Sequence, residues 1–227
     1  MSVSPRLAAK SLESAVYDAV RERIISGLLR PGDPLVEAQL SEEFGISKTP
    51  VREALISLGR DGLVEQAPYK KSKVATPTAD DVRQACEVRR WLESEIAAQI
   101  ARAPRNGLVE RLERNVAASR QHLADGDLDA CAATVHEFSD ILLEASSNKY
   151  AAMMLERLRN VLALIANVAQ TEPGRRERSI SQHETIVDAI RAENEELARE
   201  ATLAHMDSIE TDSLHALDLL TAPAPAS

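Results

Sequence analysis

Apolar residues recur every four positions near the N-terminus, and this spacing predicts an amphipathic helix over residues 12–29. The repeated positions are Leu12, Val16, Val20, Ile24 and Leu28. The prolines and the glycine of residues 30–34 end this helix, because proline cannot donate a backbone hydrogen bond. A shorter helix is predicted over about residues 36–44, and Gly45 is a residue type that can close it in the left-handed conformation.

A third helix is predicted directly after this glycine. Ser47 is a residue type that caps helix N-termini, and Pro50 falls in the first turn, where its missing N–H costs nothing. The apolar face of this helix consists of Val51, Ala54, Leu55 and Leu58. Gly62 ends it, so two helices meet across a turn of a few residues.

Two short β-prone runs follow at residues 63–66 and 73–75, and they predict a small hairpin around residues 67–72. Proline in residues 75–78 blocks helix continuation, and the rest of the chain shows helical periodicity. The predicted helices cover about residues 79–102, 107–124, 128–146, 149–170, 179–192 and 195–220. The pattern therefore predicts a mainly α protein: an N-terminal winged helix-turn-helix with a β-hairpin wing, then an all-α helical bundle.

A chain of 227 residues suits two domains of unequal size. We predict a flexible N-terminus at residues 1–10, a winged helix-turn-helix domain at 11–76, a helical domain at 79–220 and a disordered tail at 221–227. Hydrophobic residues at 44%, with only 3% aromatic residues, favour helix over sheet. The apolar runs are too short for a signal peptide or a membrane span, which predicts a cytoplasmic protein with no membrane partner.

The net charge of -9 hides an asymmetry along the chain. Up to Ala75 there are 11 Lys+Arg and 10 Asp+Glu, whereas the remainder has 16 and 26. Between Ser47 and Lys73 the chain carries six basic residues and three acidic ones. This local excess is typical of a surface that faces phosphates, although the signal is weak by itself.

Hydroxyl groups and cations lie together at the start of the third helix, at Ser47, Lys48, Thr49 and Arg52. The second helix of a helix-turn-helix enters the major groove of DNA, where its first residues reach base edges. Arg52 is our first choice for a base contact. Lys70, Lys71 and Lys73 lie on the hairpin and would contact the DNA backbone beside it. Taken singly, Ser47 and Thr49 are better explained as a helix cap and a solvated polar residue, and it is their combination with the two cations that favours DNA contact.

Three motifs stand in order within residues 12–75. They are Gly27-x-Leu29-Arg30-Pro31-Gly32-Asp33, Ser47-Lys48-Thr49-Pro50-Val51-Arg52-Glu53-Ala54-Leu55 and Asp61-Gly62-Leu63-Val64. Together they resemble the N-terminal domain of GntR-type transcription regulators. The resemblance implies that the polar residues at the start of the third helix contact DNA and that the wing lies near the minor groove. This chain has Lys71 where the family usually has glycine at the wing tip.

Further motifs lie in the helical part of the chain. They are Val88-Arg89-Arg90-x-Leu92-Glu93, Phe138-Ser139-x-x-Leu142-x-Glu144-Ala145-Ser146-Ser147-Asn148 and Gln182-His183-x-x-Ile186-Val187-x-Ala189-Ile190. They resemble the signature segments of the FadR-type effector domain, called FCD, over about residues 79–220. The resemblance implies a helical bundle whose interior cavity binds an effector, often a small carboxylate. It also implies a metal, commonly held there by one Asp and three His.

The metal-ligand pattern breaks in this chain. In the register set by the resemblance, Val135 and Ser139 occupy the positions of the family's Asp and first His, and only His183 and His205 remain as ligands. Two imidazoles make a poor metal site, so we expect no cofactor and disfavour a bound divalent metal. His136 and Asp140 share a helix face and could substitute as ligands, but a solvent-facing pair is the simpler interpretation.

The effector contacts are expected from Arg89, Ser139, His183 and His205. Arg89 could hold an effector carboxylate through two hydrogen bonds, and a surface ion pair is its alternative role. His183 and His205 could be hydrogen-bonding groups of the pocket rather than metal ligands.

These observations predict a sequence-specific DNA-binding transcription regulator, a repressor whose affinity for its operator responds to a small effector. A homodimer on a palindromic operator is expected, because one helix and one wing contact only a few base pairs. An enzyme is not expected, since the sequence has no nucleophile elbow, phosphate-binding glycine loop or HExxH motif. The alternatives are a helical domain that only dimerises and, less favoured, a metal-dependent enzyme.

Overall fold

The structure is a computed structural model that describes residues 5–66, 72–169 and 172–221. The chain divides into two compact units. The first unit comprises residues 1–77 and 160–167, and the second comprises residues 78–159 and 168–227. The predicted fold class is confirmed: helices dominate both units, and a small antiparallel sheet belongs to the first.

The described part of the first unit contains three N-terminal helices and three short strands, together with residues 160–167. Their bounds are α1 (Pro5–Ile25), β1 (Pro34–Leu35), α2 (Glu37–Phe44), α3 (Lys48–Arg60), β2 (Val64–Glu65) and β3 (Ser72–Val74). The apolar stripe of α1 packs on α3, and Val20, Ile24 and Leu58 are fully buried between them. The periodicity placed this helix at residues 12–29, whereas α1 begins at Pro5 and ends at Ile25.

The sheet has the strand order β1-β3-β2, and both pairs of neighbouring strands are antiparallel. Pro34 faces Lys73 in the first pair, and Val64 faces Val74 in the second. Strand β1 was not predicted from the sequence, because it has only two residues and forms by pairing with β3, far along the chain. Proline is tolerated there because β1 is an edge strand. The predicted wing tip at residues 67–71 lies outside the described residues.

The second unit is a helical bundle. Its helices are α4 (Ala79–Arg102), α5 (Leu108–Ala124), α6 (Leu128–Ala145), α8 (Arg175–Arg191), α9 (Glu195–Thr221) and the two ends of α7 (Lys149–Ala169), whose residues 160–167 belong to the first unit. Helix α4 packs along α9, α5 packs on α6, and α8 contacts α4, α5, α6 and α9. The shared core includes Leu112, Phe138, Ile141 and Ile190. Among the described residues, every helix is too short or too polar to span a membrane.

The start of helix α4 agrees with its prediction, whereas the start of helix α8 does not. Helix α4 begins after a capping box, in which Thr78 accepts a hydrogen bond from Asp81 N–H at 3.1 Å while the Asp81 carboxylate accepts one from Thr78 N–H at 2.8 Å. Helix α8 begins at Arg175, four residues before its predicted start. The first turn of α8 is polar, so the apolar period in the sequence begins only after it. With the observed start, Arg175 belongs to the helix.

Candidate nucleic-acid interface and effector site

The turn between α2 and α3 is set by Gly45, whose φ of 64° lies in the left-handed region. Its N–H donates to Glu42 C=O, and the N–H of Ile46 donates to Ser41 C=O at 3.0 Å, so the last carbonyls of α2 are satisfied. Ser47 precedes α3 in extended conformation but makes no side-chain cap hydrogen bond. The predicted N-cap position of Ser47 is therefore confirmed, whereas its hydroxyl makes no capping hydrogen bond.

Helix α3 separates its apolar and polar residues onto opposite faces. The buried face packs into the unit's core and consists of Val51, Ala54, Leu55 and Leu58. The predicted DNA contacts Ser47, Lys48, Thr49 and Arg52 are all exposed. The amphipathic pattern dictates this arrangement, because burying the four apolar side chains turns the polar residues outward. The start of α3 thus presents hydroxyls and cations together on one accessible surface.

Arg52 makes an ion pair with Glu37, the first residue of α2. Its Nε lies 3.0 Å from Glu37 Oε1, and its Nη2 lies 2.8 Å from Glu37 Oε2. Hydrogen bonding to Arg52 lowers the pKa of Glu37, and the charges of Arg52 and Lys48 lower it further. Glu37 was not identified as a site residue from the sequence, where it stands as an ordinary acidic residue at a helix start.

The wing residues are only partly described. Lys70 and Lys71 lie outside the described residues, and Lys73 is exposed on β3. The Nζ of Lys73 lies 2.9 Å from Glu65 Oε2 on the neighbouring strand β2. The cross-strand register places these two residues opposite one another, so a DNA phosphate would have to compete with Glu65 for Lys73.

Two histidines face each other inside the second unit. His183 on α8 and His205 on α9 are 1% and 4% exposed, and their Nε2 atoms are 3.2 Å apart. The Nδ1 of His205 lies 2.8 Å from Gln182 Oε1, and the ring of Phe138 stacks on His183 at 3.8 Å between centroids. The predicted inward orientation of both histidines is found here. Their separation is a hydrogen-bond distance, which requires one ring to donate and the other to accept.

Burial and neighbouring cations keep these histidines neutral. Burial lowers the pKa of His183 to about 3, and the positive charge of Arg175 adds to this effect. The pKa of His205 lies well below its usual value of 6.5 because of burial, the adjacent His183 and the arginines Arg175 and Arg89. Uncharged imidazoles can donate or accept hydrogen bonds at neutral pH without adding charge to the site.

His136 on α6 is exposed, in agreement with the predicted solvent-facing side chain. The surrounding protein and the charges of Arg89, Arg175 and Arg176 nevertheless lower its pKa to about 4. Ser139 lies half-buried one turn further along α6, and Val135 packs against the core.

Arginines supply the charge of the site. Arg89 is buried and pairs with Glu93 one turn along α4, through Nε at 2.5 Å and Nη2 at 3.3 Å. The alternative of a surface ion pair is therefore wrong, because burial of the apolar face of α4 takes this pair inside. Arg175 is also buried, where its Nη1 donates to Ser208 Oγ at 3.1 Å and lies 3.2 Å from Asp212 Oδ2. Arg175 was not predicted as a site residue from the sequence, because the predicted start of α8 lies four residues after the observed one.

The residues at this site do not fit the divalent metal that the FCD resemblance implies. Among the described residues, no three His, Cys, Asp or Glu side chains form a group that could hold a metal ion. His183 and His205 offer two nitrogen donors, and the charges that act on them come from Arg89 and Arg175. A dication placed there would have two neutral nitrogen donors and no acidic ligand from a group of described residues, which is too few to replace its hydration shell.

Comparison with known proteins agrees with this two-part organisation. The model of the FCD domain matches residues 84–208, and the model described as bacterial regulatory proteins, gntR family, matches residues 12–74. The chain is 30% identical over 209 residues to the HTH-type transcriptional regulator LutR of Bacillus subtilis, which covers 82% of this chain and 94% of LutR. It is 25% identical over 194 residues to the HTH-type transcriptional repressor RspR of Escherichia coli (strain K12), covering 86% of this chain and 85% of RspR.

A solved structure supports the fold as well. The chain matches E. coli McbR/YncC with a TM-score of 0.73 at 20% sequence identity, covering 93% of this chain and 99% of that one. At this identity the match shows a shared architecture. It carries no information about individual contacts or ligands.

Proposed function

Because the chain belongs to the GntR family of bacterial regulatory proteins and carries an FCD domain, we propose that it is a repressor that binds specific operator sequences and whose DNA binding is controlled by an effector. It would act as a homodimer in the cytoplasm, with a palindromic operator and a small anionic effector as its partners. We propose a regulator rather than an enzyme, in line with the relatives, which are regulators of transcription.

The polar start of α3 is the observation that carries the DNA-binding proposal. Lys48, Thr49 and Arg52 are exposed while the opposite face of the helix is fixed in the core. A helix N-terminus with cations and hydroxyls can contact phosphates and base edges in the major groove. One such helix contacts only a few base pairs, so two copies related by a two-fold axis would give a site of useful specificity.

The arginines and neutral histidines carry the effector proposal. The charges of Arg89 and Arg175 both act on His183 and His205, and these two imidazoles stay uncharged at neutral pH. A buried group of charged and polar residues costs free energy in a bundle that only dimerises, so a ligand-binding role accounts for it better. An anionic effector would complete hydrogen bonds to guanidinium and imidazole groups, as arginine does with carboxylates in general.

Calorimetric titration with acetate, succinate, citrate and the neutral succinamide tests this proposal. We expect a dicarboxylate or tricarboxylate to bind and succinamide not to bind. Arg175→Gln should weaken that binding by about tenfold or more, because it removes a buried cation from the site. Arg120→Gln is the matched control, since Arg120 is an exposed residue paired with Glu184 on the surface. Equal binding of succinamide, or unchanged binding in Arg175→Gln, would argue against an anion site.

The regulatory half of the proposal needs the same ligand in a DNA-binding assay. An effector that controls repression must bind the free and the DNA-bound protein with different affinities. The ligand found by calorimetry should therefore change the protein's affinity for its selected DNA in a fluorescence anisotropy titration. An identical DNA affinity with and without saturating ligand would contradict effector control.

A further inference from the structure

The pair between Arg52 and Glu37 uses one particular edge of the guanidinium group. Its bonds come from Nε at 3.0 Å and from Nη2 at 2.8 Å, each to a different carboxylate oxygen. A guanidinium carries five N–H groups in a fixed plane, and this pairing occupies those on the Nε and Nη2 side. The end of the group, formed by Nη1 and the second N–H of Nη2, points away from Glu37.

That end of the guanidinium has the geometry of a base-recognition contact. Two parallel N–H groups can donate to O6 and N7 of one guanine in the major groove, which is the commonest specific arginine contact with DNA. A side chain held in place by a second partner also loses less conformational freedom when it binds. The ion pair therefore holds the two remaining N–H donors at the end of Arg52 in a fixed orientation.

The charge of Glu37 directs Arg52 towards bases and away from phosphates. Hydrogen bonds from Arg52 and the nearby charges keep the pKa of Glu37 below its usual value, so this group is ionised at neutral pH. An ionised carboxylate beside the guanidinium repels a phosphate and reduces the net charge that a phosphate would attract. A guanine edge carries no net charge and suffers much less from this repulsion.

We propose that Glu37 is a positioning residue for DNA recognition, which orients Arg52 so that it contacts a guanine in each half-site of the operator. This inference rests on the proposed function, because it assumes that α3 enters the major groove. It adds a specificity-determining residue on α2, outside the helix that contacts the bases.

The location of Glu37 allows this role to be separated from a structural one. The side chains of Arg52 and Glu37 are 60% and 31% exposed, and ion pairs at such positions contribute little to folding stability. Glu37→Gln keeps the size of the side chain and one acceptor oxygen while removing the charge and the second acceptor. Glu42→Gln is a matched control, because Glu42 is an exposed acid on the same helix.

The test is selection from double-stranded DNA with a randomised central segment. The full-length wild type, Glu37→Gln, Arg52→Ala, the double variant and Glu42→Gln are compared. We expect the wild type and Glu42→Gln to enrich palindromes with guanine at one position per half-site. Glu37→Gln should lose about tenfold of the guanine preference at that position and keep the rest. In the Arg52→Ala background, Glu37→Gln should change nothing further, since it acts through Arg52.

Each other outcome contradicts the inference in a recognisable way. An unchanged guanine preference in Glu37→Gln, or an effect of Glu37→Gln that persists without Arg52, removes the positioning role. An equal loss of preference at all positions, together with a lower melting temperature, assigns Glu37 a structural role instead. If the wild type enriches no sequence at all, the proposed function itself fails, and this inference fails with it.

Discussion

Arg52 and Arg89 each pair with one glutamate, but the two pairs lie in different surroundings. The side chains of Arg52 and Glu37 are 60% and 31% exposed, whereas those of Arg89 and Glu93 are each 10% exposed. Water screens the first pair, so it contributes little to folding stability, and the end of Arg52 that faces away from Glu37 can exchange water for another partner at little cost. The second pair has lost its hydration, and neither charge can give up its partner without a large penalty.

The difference matches the roles that the two regions are proposed to have. A DNA-recognition arginine must exchange water for a base edge each time the protein binds and must recover its former state on release. An arginine of an effector pocket must stay in place whether or not the effector is bound. The same pair of residue types can meet both requirements, because burial decides how tightly the two charges depend on each other.

The largest expected effect comes from breaking the buried pair. Glu93→Gln leaves Arg89 charged and buried without its counter-ion, and we expect a loss of about 3 kcal/mol in the free energy of unfolding. Glu37→Gln makes the same chemical change in the exposed pair and should leave this free energy nearly unchanged. Urea denaturation of both variants beside the wild type measures the difference. Equal losses in the two variants would show that burial does not distinguish the two pairs.

A moderate effect is expected from acid, because the two regions differ in their titratable groups. The pKa values of His136 and His183 are lowered to about 4 and about 3 in the folded protein, from 6.5 otherwise. Below this usual value the unfolded chain binds protons that the folded chain does not bind, so stability is lost as the pH falls. The contribution of these histidines to the free energy of unfolding is fully present above pH 6.5, and it is lost progressively as the pH falls towards their pKa values in the folded protein.

Thermal unfolding followed by circular dichroism measures this effect. Between about pH 7.5 and pH 5 we expect the second unit to lose about 5 °C or more in melting temperature. His183→Gln should flatten this dependence, since it removes one of the depressed groups. His122→Gln is the control, because His122 lies on α5 outside the group around His183. If both variants kept the wild-type slope, the buried histidines would not be its cause.

The sequence predicted most of the architecture because the deciding interactions are local. The apolar period and the proline of the preceding linker placed α4 at its observed bounds. The same reasoning placed the start of α3 and the left-handed turn at Gly45. It missed β1, whose two residues become a strand only through pairing with β3, because such pairing depends on residues far along the chain.

The sites could be predicted less completely than the fold. The exposure of Lys48, Thr49 and Arg52 follows from the helical period, so the sequence was enough to place them on one surface. The partner of Arg52 and the burial of the Arg89–Glu93 pair were not predictable in the same way. Glu37 belongs to another helix, and the burial of Arg89 depends on how α4 packs on its neighbours. Burial and partner choice are tertiary properties, and they decide what each arginine does.

The smallest expected effect concerns divalent metal, which tests the electrostatic character of the second region. The positive charges of Arg89 and Arg175 reach His183 and His205, and no acidic residue completes a ligand set among the described residues. Zinc and nickel need three or four protein ligands to offset the loss of their hydration shells. Adding metal to the wild type, or removing metal with a chelator, should therefore change its melting temperature little.

We expect zinc chloride or EDTA to shift the melting temperature of the wild type by less than about 1 °C, because binding that does not occur cannot stabilise the folded state. Ser139→His adds an imidazole at the position where the FCD resemblance implies a histidine ligand, and it should give the variant measurable zinc affinity by calorimetry. Leu128→His is the control, since Leu128 is an exposed residue at the start of the same helix. Near-stoichiometric zinc in the purified wild type, lost in His183→Ala, would refute the prediction and would make His136 the next ligand to test.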